Sequence, residues 1–192
     1  EVRALSEVTQ QIHEGLFVAD VLNHVFNTFR AIIPYDRIRF AVVEKNSRCT
    51  DTVRTHWTRP DFGETHIACG YTQPLTGSSF GEAAMERQPA IVNNLMRYIK
   101  DHPESVTTRL MIDEGTQSTL TCPLLDKDTL VGFLIFSSRT IDVYQQEHID
   151  MFANVGGKLA HTLEKSRLYE DLTTRNKFIL SVFGRYISDE IA

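Results

Sequence analysis

The spacing of hydrophobic positions changes several times along the chain, and each change predicts an element. Val2, Leu5, Val8 and Ile12 recur at steps of three and four, the spacing of one helix face, so residues 1–14 read as a helical arm that Gly15 interrupts. A second helix is expected from about Phe17 to Ile33, with Val18, Val21, Leu22, Val25, Phe29 and Ile32 on one side, and Pro34 stops it because proline cannot supply the next backbone donor. In Arg37–Glu44 the period shortens to about two residues, Ile38, Phe40 and Val42 alternating with Arg39, Ala41 and Val43, which predicts a strand. Further strands are expected near Val53–Thr58, around His66–Tyr71 and at Ala90–Val92. Between the last two, Gly77 opens a helix that Ser79 can cap through the S-x-x-E spacing to Glu82, and Pro89 ends it.

Residues 94–115 are mixed in pattern. Pro103 suits the first position of a helix reaching to Glu114, with Val106, Leu110 and Met111 inward and Gly115 as its stop. Two strands follow, Gln117–Leu125 and Leu130–Ser137, joined by a hairpin turn at Asp126, Lys127 and Asp128. The second is apolar almost throughout, the mark of a central strand covered on both faces. From about Tyr144 the chain reads as helix to its end. The order predicts an α+β domain, an antiparallel sheet with helices gathered around it.

In that final helix Tyr169, Leu172, Asn176, Ile179, Phe183 and Tyr186 follow alternating steps of three and four, the seam of a two-stranded coiled coil. Leu172, Asn176, Ile179 and Phe183 form the expected dimer seam, with Asn176 as the buried amide that sets register, and the first arm can join the same bundle. Three units result: a helical arm at 1–14, a domain at 15–168 and a signalling helix at 169–192.

Composition narrows the function classes. The 192 residues are 42% hydrophobic and 23% charged, an ordinary globular balance. A net charge of −5 argues against nucleic acid, which asks for a basic face. No apolar run approaches the roughly 20 residues of a membrane span, and no signal peptide is recognisable. The three cysteines, Cys49, Cys69 and Cys122, are too widely spaced for a disulfide framework or a zinc knuckle, so a reducing, cytoplasmic compartment is expected. The absence of an initial Met suggests a fragment of a longer protein.

Four stretches then resemble one family. Gly77-Ser78-Ser79-Phe80-Gly81-Glu82-Ala83 with Pro89-Ala90-Ile91-Val92-Asn93 is similar, with one more residue between its glycines, to the G-x-x-G-x-A…P-x-x-[ILV] centre of the GAF domain family. Ser118 to Leu124 resembles its C-V-P-L strand, Val131-Gly132-Phe133-Leu134 its I/V-G-x-L strand, and Tyr144-Gln145-Gln146-Glu147 the start of its last helix. The resemblance covers roughly residues 15–170 and implies a sheet of five or six antiparallel strands in a sensory or dimerising module, usually without catalysis. Residues 183–191, Phe-Gly-Arg-Tyr-Ile-Ser-Asp-Glu-Ile, are similar to the segment preceding class III adenylyl/guanylyl cyclase catalytic domains. That implies a cyclase as the effector in cis, its catalytic domain lying beyond Ala192.

The family's ligand pocket lies between the sheet and the helices and loops covering it, which makes Phe40, Val42, Trp57, Tyr71, Phe80, Thr119 and Thr121 candidates for its wall. For the apolar ones ordinary core packing is the simpler reading. Thr119 and Thr121 put two hydroxyls on one strand face, either to fix a polar ligand or to face water. Arg39 either reaches an anionic ligand with its planar fork or lies on a solvated strand face.

Known chromophores and ligands of the family find little support. The N-K…F-x-x-x-D-E pattern of cyclic-nucleotide-binding members is mostly missing, since the chain has Ser138-Arg139, Val143 and Glu147-His148 there. No cysteine precedes a histidine, which argues against covalent bilin. His66 and Cys69 have a loop spacing that suits a metal, but nothing nearby completes a site, so no metal ligand is assigned and haem is not expected. Cys122 on an apolar strand reads as a small buried hydrophobe. No catalytic residue is assigned, because no nucleophile–base pair or phosphate loop is present. The expected function is a regulatory module binding an unidentified small molecule. The alternatives are a dimerisation module without ligand and a small redox enzyme like the methionine sulfoxide reductases of this fold, for which Cys49 and Cys69 are the relevant residues.

Overall fold

The computed structural model describes residues 17–45, 51–60, 63, 65–76 and 80–190, with side chains to 180 apart from that of Pro60. The expected helical arm at 1–14, Gly77, the Ser79 cap and Cys49 lie outside the described residues, as do the side chains of Phe183 and Tyr186.

Helix α1 (Val18–Thr28) carries the predicted apolar stripe and tightens into a 3-10 turn at Phe29–Ala31. The chain then reaches β1 (Arg37–Glu44) and β2 (Thr52–Pro60). The expected strand around His66–Tyr71 is instead a loop, and the third strand, β3, is Thr72–Pro74. The positive φ of 92° at Gly70 turns the chain there, and the Gly70 and Tyr71 backbones bond to Thr55 before β3 can begin.

Helix α2 (Gly81–Glu86) ends on Arg87 in the left-handed region at φ 54°, short of Pro89. Strand β4 is Ala90–Val92, as expected. The mixed segment holds two helices. Helix α3 (Leu95–Asp101) is capped by Asn94 Oδ1, which accepts from the Arg97 amide at 2.9 Å. Helix α4 (Val106–Asp113) starts after Ser105, so Pro103 lies in the preceding turn rather than at a helix start. Its inward side is Thr107, Thr108 and Met111, whereas Val106, expected inward, is exposed. Strands β5 (Ser118–Asp126) and β6 (Thr129–Ser138) meet at Lys127 and Asp128, both with positive φ, in the expected hairpin. Helix α5 (Gln146–Glu190) has 45 residues and extends about 67 Å.

The strands form one antiparallel sheet ordered β3-β2-β1-β6-β5-β4, with β1 and β6 at its centre. Period-two alternation divides the sheet into two faces. On one, Ile38, Phe40, Val42, Leu120, Leu134 and Phe136 pack under α1 and the first part of α5, chiefly Leu22, Val25, Phe152 and Leu159. On the other, Ala41, Phe133 and Ile135 meet Ile67, Phe80, Ala83, Leu95 and Met111 of the loop and short helices. This explains the unbroken apolar run of β6, whose successive side chains enter different cores. Gly132 lets β1 and β6 approach, because a Cβ there would stand 2.2 Å from the Ala41 carbonyl oxygen.

A buried carboxylate on the polar face of the sheet

The alternation of β1 sends Arg37 and Arg39 to the face opposite Ile38 and Phe40, beneath the loop at 65–71. Both are buried, at 0% and 1% exposure. Two unpaired guanidinium groups would be very costly there, and they converge on one carboxylate. Arg37 Nη1 and Arg39 Nη2 both donate to Glu114 Oε2. Glu114 directly follows α4, and Gly115 at φ 82° turns the chain after it.

The other oxygen of Glu114 holds the covering loop. Oε1 accepts from Thr65 Oγ1 at 2.9 Å, the His66 amide at 2.6 Å and the Ile67 amide at 2.9 Å. One side chain thus joins the centre of the sheet, the end of α4 and the loop in place of the predicted third strand. Burial alone would raise the Glu114 carboxyl, but Arg39, the Ile67 amide, Arg37 and Thr65 outweigh it and hold the group below the usual carboxylate range. For Arg39, burial, opposed by Glu114 and reinforced by Arg37, brings the guanidinium down to about 10, so it stays charged near neutrality.

Some buried polar atoms of the described residues lack a full partner. Arg39 Nη1 reaches Ser137 Oγ only at 3.4 Å, and Arg39 Nε has no partner. The buried hydroxyls of Thr58, opposite Arg39 in the ladder, and of Thr116 have none either.

The predicted pocket residues divide between the faces. Phe40 and Val42 belong to the core under α1 and α5, and Trp57 packs against it. Phe80 belongs to the other core, stacked on Phe133 with centroids 5.4 Å apart, and Tyr71 packs beside that core. Thr119 and Thr121 register with Ser137 and Ile135, the neighbours of Arg37 and Arg39, and both are buried. The structure therefore brings Tyr71, Phe80, Thr119 and Thr121 to one face and leaves Phe40, Val42 and Trp57 on the other. Arg39 is not on a solvated strand face, and in this structure the anion its guanidinium meets is the protein's own Glu114. Nothing local in the sequence marks that pair, which is 75 residues apart. On the outer side of the covering layer Tyr71, Gln73 and Thr107 help line a groove of about 330 Å³ between β3 and α4.

Cys122 is fully buried, and desolvation pushes its thiol well up, the state of an inert small side chain. Cys69 is exposed, and its Sγ donates to the His56 carbonyl at 3.0 Å. Among the described residues no three His, Cys, Asp or Glu side chains gather as a metal site.

The end of β4 is tied to the chain entering the long helix. Asn93, at the end of β4, donates from Nδ2 to the Tyr144 carbonyl at 2.7 Å, and its Oδ1 accepts from the Tyr144 amide at 3.0 Å. Two residues later α5 begins, its entry fixed by His148 Nδ1, which accepts from the Gln145 amide at 2.9 Å. Farther along, Glu170 Oε1 accepts from the Val18 amide at 3.0 Å, anchoring α5 to the start of α1. Beyond that contact Leu172, Asn176 and Ile179 are all exposed. No helix among the described residues is long and apolar enough to cross a membrane.

A family model described as the GAF domain matches residues 16–164. Among solved structures, the GAF domain of a two-component sensor histidine kinase from Bacillus halodurans is 19% identical, covering 81% of this chain and 99% of its own at a TM-score of 0.66. The GAF domain of a phosphoenolpyruvate-protein phosphotransferase from Coxiella burnetii is 12% identical, covering 88% and 96% at 0.67. Free methionine-R-sulfoxide reductase from Neisseria meningitidis is 14% identical, covering 86% and 89% at 0.64. At these identities the structural neighbours speak for the fold alone. No curated protein sequence matches the chain.

Proposed function

Because the chain belongs to the GAF domain family, we propose that it is a cytoplasmic sensory module that takes a small molecule on the Arg37–Arg39 face and signals through α5 to an effector in cis. The observation that carries this reading is the path of α5. It starts at the Asn93 clamp at the end of β4, follows the domain as far as the Glu170 anchor, and continues with Leu172 and Ile179 exposed. A helix with exposed apolar residues at heptad spacing is stabilised by a second copy, and a parallel pair transmits rotation or a change of register. The resemblance of residues 183–191 to the segment before class III cyclase domains supports a nucleotide cyclase as that effector.

Native mass spectrometry and absorbance of the freshly purified protein test for a retained molecule, and light scattering tests the dimer. Asn176→Asp, which sets like charges across the seam, should weaken association, as should truncation after Ser166. A full chain that is monomeric at tens of micromolar overturns the signalling route.

A dimerisation module without ligand is the second reading, favoured by one feature: Glu114 already fills the polar face. The redox-enzyme reading rests on the fold shared with the Neisseria reductase and on exposed Cys69, and requires sulfoxide turnover that Cys69→Ser abolishes.

A further inference from the structure

The five groups that meet Glu114 have the composition of an anion site. Two guanidinium groups approach one carboxylate oxygen, and two successive backbone amides with a hydroxyl approach the other. This is how proteins bind a free carboxylate, with charge-assisted donors shared between both oxygens. Here the carboxylate is tethered, reaching in from the end of α4 next to a glycine with positive φ.

A cluster serving packing alone would match its donors to acceptors, because each buried orphan carries a desolvation cost. This one leaves Arg39 Nε buried without a partner, and with it the hydroxyl of Thr58, opposite Arg39 in the ladder. Those orphans offer an incoming molecule polar contacts that Glu114 does not use.

The geometry points to a carboxylate-binding site on the Arg37–Arg39 face that Glu114 keeps closed from within, and to a carboxylate-bearing small molecule as the ligand that displaces it. This rests on the sensory reading above and gives it a ligand class. Displacement would free the Thr65–Ile67 loop and the end of α4 together, since Glu114 is the side chain that joins them. The tether competes at high effective concentration, so a simple carboxylate binds the wild-type protein poorly and a Glu114 variant well.

The test is thermal unfolding of the full chain and its Glu114→Ala variant in sodium acetate against sodium chloride at equal ionic strength. Acetate at ten times its dissociation constant should raise the variant's Tm by about 3–6 °C and leave the wild type unmoved. Adding Arg39→Met should abolish the rise. Should the alanine variant fail to fold in chloride, recovery of helical circular dichroism in acetate replaces the Tm shift. Glu114→Gln keeps the side-chain volume, and its neutral amide should yield to acetate more readily than the wild-type carboxylate does. The proposal is overturned if neither variant gains more from acetate than from chloride, or if phosphate stabilises them and acetate does not. If neither variant responds to acetate while another class of molecule stabilises the wild type, the carboxylate site falls and the sensory reading stands. If acetate rescues the variants while no small molecule is retained by, or stabilises, the wild type, the site stands and the sensory reading falls.

Discussion

On one side of β1, Ile38, Phe40 and Val42 meet α1 and α5 across an apolar layer; on the other, two residues of the same strand, Arg37 and Arg39, meet a single carboxylate. Both sides are buried, but they hold together differently. The apolar face depends on area and close packing spread over many residues, so no single contact decides it. On the polar face five donors converge on one side chain, and removing it takes a charged acceptor from all of them at once. A surface of the first kind suits a permanent anchor for helices. One of the second kind can be switched, because one displacement changes several elements at once.

The sharpest test of this contrast, and the largest expected effect, is Glu114→Ala. It leaves Arg37 and Arg39 buried without this carboxylate and should cost about 3–5 kcal/mol in urea unfolding. The pH dependence should follow the same group. In the folded state Glu114 titrates below its usual range, so its contribution is fully present once the unfolded chain's carboxyl is ionised. As pH falls below about 5 the unfolded chain takes up its proton first, and stability declines until the folded group is protonated as well. The stability gap between wild type and Glu114→Gln should therefore be widest near neutrality and close progressively in acid. A gap that does not change with pH would mean that this face is held by shape rather than charge.

The matching change on the apolar face is Leu134→Ala. Leu134 is fully buried in the middle of β6, and its truncation should cost about 2–4 kcal/mol. Unlike the Glu114 variants, its deficit should be nearly constant between pH 4 and pH 8, because the thiol of Cys122, opposite it in the ladder, is pushed well up by burial and stays neutral throughout that range. A strong acid dependence of this variant would erase the distinction between the faces.

How much of this was legible depended on the sequence distance of the partners. Strands β1 and β4 have the predicted bounds, and the β5–β6 hairpin lies within one residue of them, because alternation, Gly and Pro act locally. The stretch at His66–Tyr71 has strand-like composition, yet its amides at His66 and Ile67 bond to a side chain nearly fifty residues away. Helix α3 went unread because a seven-residue helix shows too few turns for its period to emerge. The site was legible only in part. Arg39 stood out as a charge within an apolar strand, and Thr119 and Thr121 as hydroxyls sharing a face, but Glu114 looked like an ordinary helix end. Phe40, Val42 and Trp57 were placed in the pocket by family analogy, and strand parity puts them on the other face.

If the two faces are physically distinct, a signal must cross between them, and Asn93 sits where it can. Its side-chain amide makes both a donor and an acceptor bond to the Tyr144 backbone, joining β4 to the chain two residues before α5 starts. Asn93→Ala loses two partly buried hydrogen bonds, for which about 1–2 kcal/mol is expected, the smallest of these effects on stability. Its effect on coupling should be out of proportion to that loss. In the wild-type background, Glu114→Ala should speed amide hydrogen exchange in the first turn of α5 as well as at His66 and Ile67. In the Asn93→Ala background the same substitution should still release His66 and Ile67, while exchange at the start of α5 no longer responds to it. The non-additive part of this double-mutant cycle measures the coupling through Asn93. If the two substitutions are additive at the start of α5, the faces communicate by another route, either through the shared strands β1 and β6 or through the Glu170 anchor at the far end of the helix.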